Sequence, residues 1–73
     1  MINNPVIAKQ ISELMLEVSA KIDQSIAMVQ TNCSQEEFQE YRRAAGRVLG
    51  EALLEVLNPI YKKHSFLKPP GFD

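Results

Sequence analysis

The side chains best equipped for covalent chemistry in this chain are its single cysteine, Cys33, and its single histidine, His64. A thiol becomes a useful nucleophile when a base stands beside it. Within one helical hairpin, however, these two residues are separated by a full helix length, roughly 45 Å at 1.5 Å per residue. Only an antiparallel pairing of two chains would carry the turn of one toward the tail of the other. Cys33 also has a sufficient structural role, because Cys33 and Phe38 flank a helix start at the spacing of a hydrophobic staple. A lone cysteine forms no internal disulfide, and a lone histidine leaves no ordinary zinc constellation.

The acidic run Glu36, Glu37 and Glu40 raises the question of a metal. Carboxylate sites in helical bundles draw Glu-x-x-His elements from facing helices, and the sequence holds none. Acidic side chains in a first helical turn are already favoured by the helix dipole. There is no P-loop, dinucleotide-type glycine fingerprint or serine elbow. The chain therefore reads as a non-enzyme with no catalytic residue, cofactor or metal.

Basic groups fall into two sets: Arg42, Arg43 and Arg47, then Lys62, Lys63, His64 and Lys68. Eight basic and nine acidic residues give a net charge of −1, so no overall field attracts polyanions. Doubled in a dimer, either set could still form a nucleic-acid surface. RNA suits it better than DNA, because these helices are too long for a helix-turn-helix reader.

The elements that position these groups follow from short-range signals. Asn4 before Pro5 marks a helix start, since the Asn side chain caps free amides and proline at the first helical position has none to leave unpaired. Helix one is expected near 5–31, with an apolar line through Ile7, Ile11, Leu14, Val18, Ile22 and Val29, broadened by Met15 and Ile26. A turn over 32–34 follows, with Asn32 in the left-handed conformation. Ser34 and Glu37 form an S-x-x-E capping box, so helix two is expected near 35–64, antiparallel to the first.

Helix two carries Phe38, Tyr41, Ala45, Leu49, Ala52, Val56 and Ile60 on one line, flanked by Val48, Leu53 and Leu57. The spacing recurs every eleven residues, which predicts long, nearly straight helices. A kink is expected near Pro59, where the ring removes a ladder bond and clashes with the preceding turn. The tail, 65–73, contains Pro-Pro-Gly and reads as extended, with Phe66, Leu67 and Phe72 available to bury.

A chain of 73 residues, 45% of them hydrophobic, forms at most one domain with a marginal core. The apolar arc of helix two is too wide for one neighbour. The sequence thus predicts an all-α antiparallel hairpin assembled as a homodimeric four-helix bundle. The expected dimer interface is Tyr41, Ala45, Gly46, Leu49, Gly50, Leu53, Val56 and Leu57, with the two glycines forming a groove that a facing backbone approaches.

Arg42, Arg43, Arg47, Phe66 and Phe72 are the expected partner contacts. The functional expectation is a small protein-interaction or regulatory module acting as a homo-oligomer, meeting another protein through its tail or polar helix faces. The second reading is the nucleic-acid-binding regulator. No membrane association and a cytoplasmic location are expected, since no leader pattern or membrane-spanning apolar run is present.

Overall fold

The computed structural model describes residues 1–70. Helix α1 spans Pro5–Asn32, and a second arm returns along it as α2 (Gln35–Arg47), a π-helical segment (Val48–Ala52) and α3 (Leu53–Lys63). A 3₁₀ turn, Ser65–Leu67, follows where the tail is expected to be extended from its first residue, and extended backbone begins only at Lys68. Among the described residues there is no strand.

The helix starts are built as the capping rules require. Asn4 Oδ1 accepts hydrogen bonds from the amides of Val6 and Ile7, at 2.9 and 3.3 Å, with Pro5 opening the helix. At the second start the Ser34 hydroxyl oxygen accepts from the Glu37 amide at 3.1 Å, while Glu37 Oε1 accepts from the Ser34 amide at 3.1 Å. The turn itself departs from expectation. Asn32 remains helical and donates through its side chain to the Met28 carbonyl, and Cys33 leaves the helix in an extended conformation. The ladder itself closes with the Cys33 amide donating to the Val29 carbonyl at 3.0 Å, so no left-handed residue is needed to end the helix.

The box has a pH signature. Hydrogen bonds from the Ser34 backbone amide, and secondarily from its side chain, hold the Glu37 carboxyl below its ordinary range. A carboxylate favoured in the folded state adds stability above its unfolded pKa, and that stability is lost as pH falls through the folded value. Acidification is therefore expected to fray the first turn of α2. Amide chemical shifts of Ser34 and Glu37 followed through the carboxylate range should show it, and Glu37→Gln should flatten the response. Ser34→Ala should remove about 1 kcal/mol of stability at neutral pH.

The seam between the arms is not the one the apolar spacing suggests. On α1 the buried positions are Ala8 and Ser12, whereas Ile7 is 43% and Leu14 48% exposed. Small side chains let the other helix approach closely, and they do so against Leu57, Ile60 and Tyr61, which with Ala8 form the core cluster. Ile2, Ile11, Met15, Leu16, Val56 and Leu67 pack around this cluster, so the core sits at the open end of the hairpin, where the terminal segments fold onto it.

On the second arm the buried residues include Ala45, Leu53, Leu57, Ile60, Tyr61 and His64, while Ala52 is exposed and Val56 only half-buried. The π segment accounts for this. The Leu53 amide reaches the Val48 carbonyl, five residues back rather than four, which places one extra residue in the helix. At about 100° per residue, every later position is set back by one step. Leu53 and Leu57 then face α1 in place of Ala52 and Val56.

Helix α3 passes through Pro59 and ends at Lys63, where the His64 amide bonds to the Ile60 carbonyl at 2.8 Å. The carbonyl that proline cannot serve belongs to Glu55, an exposed residue that water reaches. The departure from α geometry in this arm lies at Gly50, within the π segment, about two and a half turns before the proline.

Candidate functional site

The hairpin is a single layer, 45 × 19 × 16 Å, and presents two long faces of opposite character. Heptad spacing aligns Ile7, Leu14 and Val18 along one edge of α1. The same edge reaches Ser25, which is bonded to Tyr41 of α2 at 2.7 Å. The Ser25 hydroxyl already donates to the Ile22 carbonyl at 2.6 Å, so the Tyr41 hydroxyl is the donor between them. This bond fixes which edges of the two arms lie side by side. On the second arm the edge continues through Ala44, Val48 and Val56, with Val48 45% exposed.

The opposite face is polar. Gln39, Arg42, Arg43 and Gly46 line a shallow notch of about 300 Å³ whose floor is open because Gly46 has no side chain. Arg42, Arg43 and Arg47 are exposed and form no ion pair among the described residues. Nearer the open end, Phe66, Leu67 and Pro69 border a groove of about 430 Å³ with Lys9, Ser12, Glu13 and Leu16 of α1. Leu67 is anchored in the core while Phe66 stays 73% exposed, its ring edge-on to His64 at 5.9 Å between centroids.

The eight residues expected at a dimer interface are divided by the structure. Ala45, Leu53 and Leu57 are buried within the single chain and Leu49 is half-buried; for Leu53 and Leu57 it is the extra residue at the π segment that turns them onto α1. Tyr41 and Val56 lie on the apolar edge. Gly46 and Gly50 lie on the other side, and a Cβ built at either meets nothing within 4 Å. Within the single chain, then, the seam is made by Ala8 and Ser12 and not by the glycines.

Of the expected partner contacts, Arg42, Arg43 and Arg47 are on the polar face and Phe66 is exposed, while Phe72 lies outside the described residues. His64 leaves the basic set: it is buried, and its Nε2 donates to the Ile2 carbonyl at 2.7 Å, tying the end of α3 to the amino-terminal segment. Sequence reasoning missed this clasp, since a bond across sixty-odd residues leaves no local pattern.

Cys33 sits exposed at the turn, at the other end of the hairpin from the His64 clasp. Among the described residues no group of three or more His, Cys, Asp or Glu side chains is placed to hold a metal ion, and no helix is long and apolar enough to cross a membrane.

The chain was compared with protein-family models, curated proteins and solved structures, and nothing matches.

Proposed function

We propose that this chain is a non-enzymatic protein-interaction or regulatory module that acts as a homo-oligomer, with a homodimeric four-helix bundle as its simplest form. One observation carries the reading. The chain exposes 5390 Å², whereas a compact monomer of 8.2 kDa exposes roughly 4,500 Å², so roughly 900 Å² is in excess. That is close to the area of about 800 Å² that one partner contributes to a standard stable interface. The radius of gyration points the same way, at 14.5 Å against about 11 Å for a compact chain of this length. Domains bury their apolar stripes between two layers, and this hairpin supplies one.

A second reading, binding to RNA or another polyanion, is favoured by the unpaired Arg42 and Arg43 around the Gly46 notch. Light scattering over a range of concentrations tests the first reading. The expected result is twice the 8.2 kDa chain mass at micromolar concentration. A folded monomer throughout would overturn it. The same samples mixed with RNA at low salt decide the second, which requires a mobility shift that weakens as salt rises.

A further inference from the structure

We infer that the surface joining two copies of this chain is the apolar edge carrying the exposed Ile7, Leu14, Tyr41 and Val48, with the half-buried Val18 and Val56 behind them, and not the glycine-bearing face. This inference rests on the homo-oligomer reading and names its surface. At about 100° per residue, the arc of α1 through Ile7, Ile11, Leu14, Val18, Ile22, Ser25 and Val29 contains no charged side chain. The matching arc of the second arm, Tyr41 to Ile60 with the π segment counted, is also uncharged. Lys21, the nearest charge on α1, pairs outward with Glu17 at 3.5 Å and marks the rim. The opposite face carries Lys9, Glu13, Asp23, Arg42 and Arg43, all of them charges that a self-contact would have to desolvate.

The occupant is a second copy because the edge repeats the chain's own geometry. It is a two-helix ledge as long as the hairpin, and a two-fold axis through it stacks two ledges into four helices with one shared core. The chain's excess surface of roughly 900 Å² is close to the area of about 800 Å² that one partner buries in a standard interface. The polar bond between Tyr41 and Ser25 is already satisfied within the chain, so covering it strands no donor. The Arg42–Arg43 notch remains on the outer surface of each copy, available to other partners.

Sedimentation equilibrium on the full chain tests the assignment with two sets of variants. Leu14→Glu with Val48→Glu, both at sites about half exposed in the single chain, should give a monomer of unchanged helicity. Should the charges perturb folding, Leu14→Ala with Val48→Ala keeps good helix formers at both sites and should weaken dimerisation at least about tenfold. Gly46→Leu with Gly50→Leu should leave the dimer intact. A dimer that survives the edge substitutions but is lost with the glycine substitutions would overturn this inference while sparing the homo-oligomer reading. A wild-type monomer would overturn both, and one that floats with phosphatidylcholine vesicles would give the edge to lipid.

Discussion

Replacing Ile60 with alanine is expected to leave little of the fold at 25 °C. Ile60 is fully buried, and it lies in the cluster where α1, α3 and the terminal segments meet. Truncating a buried isoleucine removes about 2–5 kcal/mol, through lost transfer energy and the cavity left behind. A chain of this length has a total stability of about 4–11 kcal/mol, and a single-layer hairpin belongs at the lower end of that range. The site cannot collapse easily, because Ala8 and Ser12 across the seam are too small to move in and fill the space. A thermal melt by circular dichroism, at fixed protein concentration since dimerisation would itself shift the midpoint, should show loss of most cooperative unfolding. Val6→Ala, at an exposed position of the same end, should change the midpoint little. If the two variants melt alike, the core has been placed at the wrong end of the molecule.

That test bears on how much of the architecture was legible in the residues. The two helix starts were, because Asn4–Pro5 and Ser34–Glu37 act over three or four residues and need no tertiary context. So was the presence of more large apolar side chains than one seam covers, Ile7, Leu14 and Val48 among them, which depends on composition and period rather than on the exact rotation of each helix. The rotation itself was not legible. On α1 the larger apolar residues at Ile7 and Leu14 drew the stripe toward them, yet the seam chose Ala8 and Ser12, where small side chains allow two backbones to approach. Gly46 and Gly50 looked like the place of closest approach for the same reason, and within the chain they touch nothing. The polar notch at Arg42 and Arg43 was legible as a basic cluster, but its shape depends on the missing side chain of Gly46 and on which way that face turns. The clasp between His64 and Ile2 joins the two ends of the chain and could be found only once the arms were folded together.

Deleting Gly50 is expected to preserve the fold and to raise its stability, although the deletion falls in the middle of a helical arm. The π segment holds one residue more than an α-helix would over the same stretch, so removing one lets the Val48–Ala52 region close into ordinary α geometry. Every position from Leu53 onward then keeps its present direction, with Leu53, Leu57 and His64 still facing α1. The change also removes a glycine from a helix interior, worth about 1 kcal/mol, which corresponds to a midpoint rise of about 4–8 °C in a domain of this size. The same operation on α1 should be destructive. That helix has no spare residue, so deleting the exposed Glu17 turns one half of its seam away from the second arm by about 100°. The half that loses contact forfeits several buried side chains, each worth about 2–5 kcal/mol, and cooperative melting should disappear. Melting both deletion variants beside the parent protein separates the alternatives. Equal damage from the two would mean that the widened turn at Gly50 is required by something other than helical phase, and contact with a partner on that face would become the leading explanation.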